Sequence, residues 1–341
     1  MHAPTTEAEL DELLSRPTPA LLDDLARTPG DILVLGAGGK MGPTLARMAR
    51  RALDQLGRKD RVIAVSRFGE PGVAERLQAA GIEAIRADLV NPAELARLPD
   101  APNLVFMAGQ KFGTHGDPAT TWAMNAALPA FVAERWAGRR TVVFSTGNVY
   151  PLTPVTSGGA TESTAVAPIG EYAMSCLARE RIFQHYALTR GTPALLFRLN
   201  YAVEMRYGVL VDTGRRVLAG EPVPLAMGHA NVIWQGDANA RALQCLARTA
   251  APAEILNVTG SETLSIRSIA EAFGQRFGKT PVFTGSEAAD ALLSNAARSM
   301  DWFGPATVPL ATLIDWTAAW LERGGRLLGK PTKFEEREGR Y

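Results

Sequence analysis

GDILVLGAGGKMGPTLARM, residues 30–48, is the stretch on which the fold turns. Asp31-Ile32-Leu33-Val34-Leu35 is a short apolar run of strand formers, Gly36, Gly39 and Gly42 follow at the spacing G-x-x-G-x-x-G, and Pro43 opens a helical pattern with Leu45, Met48 and Ala49 on one face. A strand, a glycine-rich turn and a helix N-terminus together suit a dinucleotide pyrophosphate. Glycines let the backbone approach the phosphates, and the first helical N–H groups carry partial positive charge. Lys40 and Met41 lie inside this turn.

Working outward, strands and helices alternate at the spacing of βαβ units, which predicts an α/β fold of the Rossmann type. Strands are expected at 61–67, 82–87, 103–108, 140–145 and 193–199, with helices at 75–80, 92–97, 119–138 and 171–189 between them, and further along a helix at 209–219 and a strand at 230–234. Such units build a doubly wound parallel sheet whose ligands lie beyond the strand C-termini. The second strand ends at Ser66 and Arg67, where an acidic residue would bond the 2′-hydroxyl of NAD and a basic one accommodates the phosphate of NADP. With Lys40 nearby, this pattern favours NADP, with NAD as the alternative.

The expected domains are an N-terminal helical extension at 1–30, a dinucleotide-binding domain at 31–200, a smaller, partly interleaved α/β substrate lobe at 201–330, and a tail at 331–341. The tail from Lys330 is polar and expected to fray. An apolar fraction of 46% is ample for a core, and a net charge of +1 gives no field that would draw nucleic acid or an acidic membrane. No apolar run reaches bilayer length, and no signal peptide is evident. Cys176 and Cys245 make no disulfide framework, so a reduced, cytoplasmic setting is expected. No His/Cys/carboxylate cluster has metal-ligand spacing, and none is expected to hold a metal.

Three further stretches converge. Phe144-Ser145-Thr146-Gly147-Asn148-Val149-Tyr150 ends the fifth strand, Tyr172 opens the following helix, and Asp237 follows Val232-Ile233-Trp234-Gln235-Gly236. Together with the glycine turn, Asp88 and the late segment Ile255-Leu256-Asn257-Val258-Thr259-Gly260, this resembles the extended short-chain dehydrogenase/reductase family, NAD(P)-dependent epimerases and dehydratases acting mostly on sugars. The resemblance implies that Gly36, Gly39 and Gly42 cradle the pyrophosphate and that Asp88 and Leu89 border the adenine. It also implies that Ala108 and Gly109 pass under the cofactor and that Asn125 supports the turn after the fourth strand. Thr146 falls on the family's catalytic Ser/Thr, and Tyr172 on the Tyr of its Y-x-x-x-K. A homodimer through the helices at 119–138 and 171–189, and a sugar-derived small-molecule substrate, are expected on the same ground.

The chain departs from that pattern at two places. Cys176 stands where the family lysine would hold the nicotinamide ribose and lower the tyrosine pKa; a neutral thiol does neither well. Either another cation takes over, with Lys111 best placed by topology and Arg179 two turns along the helix; or the substrate needs less activation; or catalysis is lost, leaving a dinucleotide-binding sensor or scaffold. The second departure is Arg198-Leu199-Asn200-Tyr201-Ala202-Val203-Glu204, which resembles the family's R-x-x-N-x-Y-G-P loop with the Asn one place early and Glu204 in place of glycine. Asn200 is expected at the cofactor, and the usual nucleotide-sugar fit is altered.

Overall fold

The computed structural model describes residues 2–330 and 332–341. Seven strands form one parallel sheet: β1 (Ile32–Leu35), β2 (Val62–Ser66), β3 (Glu83–Arg86), β4 (Asn103–Phe106), β5 (Arg140–Thr146), β6 (Ala194–Leu199) and β7 (Glu254–Val258). Their spatial order is β7-β6-β5-β4-β1-β2-β3. The direction of strand succession reverses between β1 and β4, and the crevice beyond their C-termini is where this architecture binds ligands. Burial on both faces explains the continuous apolar runs of β1 and β4, whereas the edge strand β3 keeps Glu83 and Arg86 exposed.

The helices, in chain order, are α1 (Glu7–Leu14), α2 (Pro19–Ala26), α3 (Gly42–Gln55), α4 (Val73–Ala79), α5 (Pro92–Arg97), α6 (Pro118–Trp122), α7 (Leu128–Arg135), α8 (Gly170–Arg190), α9 (Val209–Ala219), α10 (Gln235–Gln244), α11 (Ile266–Phe277), α12 (Ala297–Phe303) and α13 (Leu310–Glu322). The sheet core includes Leu45, Ala49, Val105, Val142 and Phe197, and the lobe has its own core around Trp234, Phe273, Trp316 and Trp320. The N-terminal extension ties the two together. Leu10 and Leu14 of α1 enter the lobe core, Leu21 and Leu25 of α2 enter the sheet core, and Arg51 of α3 forks onto the Glu12 carboxylate at 2.6 and 2.7 Å. The lobe is interleaved with the sheet: α10 packs Ala238, Ala242 and Leu243 into the sheet core, and β7 pairs with β6.

Three expectations need correction. The helix read at 119–138 is divided: a wider π-type turn over Ala123–Ala127 separates α6 from α7. Pro129 lacks an N–H and its ring crowds the carbonyl four residues back, that of Asn125, which opens the helix there. The strand read at 230–234 is two short pieces, His229–Ala230 pairing with Leu264–Ser265 and Ile233–Trp234 pairing with Ala202–Val203. The tail does not fray. Phe334 and Tyr341 are buried, Thr332 donates twice to Asp212, and Arg337 reaches the Ala226 and Asp290 carbonyls and the Asp290 carboxylate. Two aromatic anchors and a salt bridge outweigh the segment's polar composition.

Candidate active site

A cleft of about 340 Å³ opens at the β1/β4 switch point. Its floor is the glycine turn and the segment after β4; its far wall comes from the ends of β5 and β6 and the start of α9. Gly36 has φ +91°, and a Cβ there would lie 2.5 Å from the Ala108 backbone N, so the turn and the β4 end touch through the glycine. A Cβ on Gly42 would meet the Ala37 carbonyl at 2.3 Å. Gly39 differs: a Cβ there would meet only the Gly36 carbonyl, at 3.5 Å, so the bare fold tolerates a side chain at this position. Met41 precedes α3 at the cap position and makes no side-chain cap hydrogen bond, which leaves the helix N-terminus ready for an anion. These features fit a dinucleotide pyrophosphate.

Asn125, turned inward by the π-type turn, holds the loop after β4. It accepts from Gln110 N at 2.9 Å, donates to Gln110 O at 2.8 Å and donates to Ser175 Oγ at 3.0 Å. Arg179 runs beneath the same loop, donating to Asn125 Oδ1 at 2.7 Å and to the Phe144 carbonyl at 2.7 Å, while its buried Nε has no partner. A Cβ on Gly109 would lie 2.5 Å from Arg179 Nη2, so the guanidinium sits directly against the cleft floor.

Tyr172, on the first turn of α8, lines the cleft with Thr146 and Lys111, and Cys176 lies one turn further along, buried with Val149 and Tyr150. Burial pushes the Tyr172 phenol well above its ordinary value and the Cys176 side chain pushes it the same way; Arg179 and the Thr146 hydroxyl pull it back. The Cys176 thiol is itself pushed up by burial, which keeps it protonated and inert. Thr146 Oγ1 donates to Asn148 Oδ1 at 2.8 Å and accepts from Asn148 N at 3.2 Å. Lys111 Nζ sits 5.6 Å from the centre of the Tyr172 ring and 4.3 Å from that of Tyr341, and donates to Thr332 O at 3.3 Å. Burial lowers its ammonium to about 8.

Below the site, Glu180 of α8 and Arg198 of β6 form a buried bidentate pair at 2.9 and 2.6 Å. Arg198 also donates to Tyr150 Oη, which donates to Asn257, and Ser145 donates to Glu180. This network fixes α8, and so Tyr172, against three strands.

The other sequence candidates are dispersed. Asn200 lines the cleft and donates to the Leu292 carbonyl. Ala108 is buried beside Gly36, Leu89 packs into the core, and Asp88 accepts from Val90 N at 3.2 Å. Ser66 lies under Gly38, and Arg67 is exposed at the end of β2. Lys40 does not join them. It reaches across the cleft to the Ala202 carbonyl at 2.9 Å and lies 3.9 Å over the Tyr207 ring, drawn by that π face and by the Glu204 carboxylate, and burial lowers it to about 7. Glu204 is buried against Arg206 at 3.1 Å, so the substitution read as a departure is a paired charge. Sequence reasoning missed Tyr341 and Thr332, whose signal was an aromatic pair, Phe334 and Tyr341, in an otherwise polar tail. Among the described residues no His/Cys/Asp/Glu group could hold a metal, and no helix is long and apolar enough to cross a membrane.

The profile of the NAD dependent epimerase/dehydratase family matches residues 32–208. The chain belongs to this family. Its fold is similar to several solved structures. The Bordetella bronchiseptica enzyme WbmG in complex with NAD and UDP is 20% identical with a TM-score of 0.72, over 90% of this chain and 98% of that one. A mutant UDP-glucuronic acid 4-epimerase from Bacillus cereus, in complex with a fluorinated UDP-glucuronic acid and NAD, is 18% identical with a TM-score of 0.72, over 86% and 99%. MoeE5 in complex with UDP-glucose and NAD is 21% identical with a TM-score of 0.67, over 86% and 99%. No curated protein matches the chain. The epimerase/dehydratase family is one of NAD-dependent enzymes, and this chain carries its parallel sheet and its switch-point cleft.

Proposed function

We propose that the protein is an NAD(P)-dependent oxidoreductase or epimerase acting on the hydroxyl or carbonyl of a sugar-derived substrate. The observation that carries this reading is the convergence of Tyr172, Thr146, Arg179 and Lys111 on one cleft that also contains the glycine turn. A bound nicotinamide supplies the hydride acceptor or donor. Tyr172 exchanges the hydroxyl proton: its raised pKa makes it a proton donor to a developing alkoxide, and the opposing pull of Arg179 and Thr146 eases the return step. Thr146 anchors the substrate oxygen, and Lys111 serves as the cation that Cys176 cannot be. The solved structures with UDP-sugars favour a nucleotide-sugar substrate by likeness of fold. Exposed Phe131, Met174 and Leu188 on α7 and α8 favour a homodimer through those helices. At the end of β2 no carboxylate stands where the 2′-hydroxyl of NAD would be bonded, and Arg67 is exposed there, which keeps NADP alongside NAD.

Fluorescence titration with NADH and NADPH tests this reading on the unmodified protein and on two glycine variants. Gly39→Ala is expected to fold with an unchanged Tm and to weaken dinucleotide binding at least about tenfold, since its methyl enters only the phosphate cradle. Gly36→Ala is expected to lose stability as well, because its φ and the Ala108 backbone forbid a Cβ. Failure of the unmodified, dinucleotide-free protein to bind either cofactor overturns the reading.

A pH dependence follows from Lys111. Its ammonium is charged below about 8 and loses its charge as pH rises through that value, so turnover is expected to fall on an alkaline limb near pH 8. Lys111→Arg, always charged, is expected to move that limb upward. A pH–rate profile in which both proteins share the same limb would remove Lys111 from the reading.

A further inference from the structure

The 332–341 segment reaches both sides of the cleft. On the lobe side, Thr332 is bonded to Asp212 of α9, and Arg337 grips Asp290 and the Ala226 carbonyl. On the sheet side, the Tyr341 main-chain oxygen accepts from His115 N at 3.0 Å, and Asn148 donates to Tyr341 Oη. Gly339 lies against Gly170 at the start of α8, so close that a Cβ on Gly339 would meet the Ile169 carbonyl at 2.4 Å. The segment is therefore a strap between lobe and sheet. Its path brings the Tyr341 ring edge-on to Tyr172, with centroids 5.4 Å apart and planes at 71°.

Lys111 lies at this junction. Its Nζ has one protein acceptor among the described residues, the strap's Thr332 carbonyl, and its shortest ring contact is Tyr341 at 4.3 Å, against 5.6 Å for Tyr172 and 5.7 Å for Phe112. A lysine side chain is long and flexible and would otherwise extend to water. An ammonium over an aromatic face with a carbonyl acceptor is held in place. The same Tyr341 hydroxyl receives from Asn148, which in turn bonds Thr146. One strap residue thus touches the partners of two site residues.

We propose that Tyr341, with Thr332, is a positioning residue: the strap holds the Lys111 ammonium at Tyr172 and so completes the site that Cys176 leaves without its lysine. The inference rests on the reading of Lys111 as the replacement cation. It adds a third contributor, remote in sequence from the glycine turn and from α8.

The test is a ligand-free titration of the lysine side chains, uniformly labelled with 13C at Cε, by NMR, with the Lys111 signal assigned by its loss in Lys111→Arg. The groups that face Lys111 are Tyr172 and Cys176 of α8, Lys333, Glu335 and Tyr341 of the strap, Phe112 of its own loop and Lys40 of the glycine turn. Tyr341→Ala opens Lys111 to water and is expected to raise its midpoint from about 8 by a unit or more, toward the free-lysine value. Tyr341→Phe keeps the ring and is expected to leave the midpoint within roughly a few tenths of a unit. A Lys111 midpoint in Tyr341→Ala equal to that of the unmodified protein overturns the proposal. A nuclear Overhauser contact between the Lys111 Cε protons and the Tyr341 ring in the unmodified protein tests the placement without any variant, and its absence overturns the proposal too. A protein that binds neither NADH nor NADPH overturns the proposed function but leaves the Lys111 titration standing. A protein that binds NADH yet has Lys111 insensitive to Tyr341 overturns the strap alone.

Discussion

Tyr172→Phe is expected to lower turnover by a factor of about 10² to 10⁴ while leaving NADH affinity within about twofold. The substitution removes one oxygen and keeps the ring that packs against Tyr341 and under Lys111. Proton exchange with the substrate oxygen then has no side chain to carry it, because Cys176 is buried and held protonated, and Thr146 is engaged with Asn148. The check is nicotinamide absorbance under turnover with a panel of UDP-sugars, beside a fluorescence titration of the same preparation. Equal loss of turnover and of NADH binding would mean that Tyr172 serves the cofactor pocket rather than the proton. Undiminished turnover would remove it from the chemistry altogether.

The second large effect is on stability. Arg198→Met is expected to destabilise the protein by roughly 3–5 kcal/mol, as removal of one partner from a buried ion pair does. Glu180 is fully buried, and its carboxylate would keep only the Ser145 hydroxyl, while Tyr150 Oη would lose its Arg198 donor. Since domains of this kind are stable by about 5–15 kcal/mol, the variant should show a much lower urea midpoint with an unchanged slope. Replacing both partners, Arg198→Met with Glu180→Leu, is expected to recover most of the loss, because two apolar groups of similar size leave no charge stranded. A double variant as unstable as the single one would show that the network's worth lies in the hydrogen bonds to Tyr150 and Ser145 instead. Because the network anchors α8, the single variant should also loosen Tyr172 and weaken turnover beyond its effect on the folded fraction.

Much of the architecture was legible because it rests on local chemistry. The run Ile32–Leu35, the glycine turn and the apolar stripe of α3 announce a strand, a phosphate cradle and a helix whatever else the chain does. The helix at 92–97 and that at 209–219 appear at the residues read for them, since Pro at the start of one and Gly220 after the other mark their ends within a few residues of sequence. The break before α7 was legible in principle from Pro129, yet an amphipathic pattern running through it suggested one helix. Asn125 turns inward only because that break exists.

What the sequence by itself determined is the family's frame: a parallel sheet, a switch-point cleft, and Tyr172 and Thr146 at its rim. These follow from residues that act on their immediate neighbours along the chain. What only the tertiary structure decided are the long-range pairings of charge. Lys40 was read beside Ser66 and Arg67, but it goes to Ala202 and Tyr207, because a flexible ammonium settles where a carbonyl 162 residues away and a neighbouring π face arrive together. Glu204, an apparent loss of glycine, is buried against the guanidinium of Arg206, which the Glu7 and Asp11 carboxylates of α1 hold from the far end of the chain. The tail, polar in composition, docks because Phe334 and Tyr341 find cavities that exist only in the folded lobe and cleft. No local pattern encodes a cavity made by other segments, and so the arrival of Tyr341 beside Lys111 and Tyr172 is decided by packing rather than by spacing.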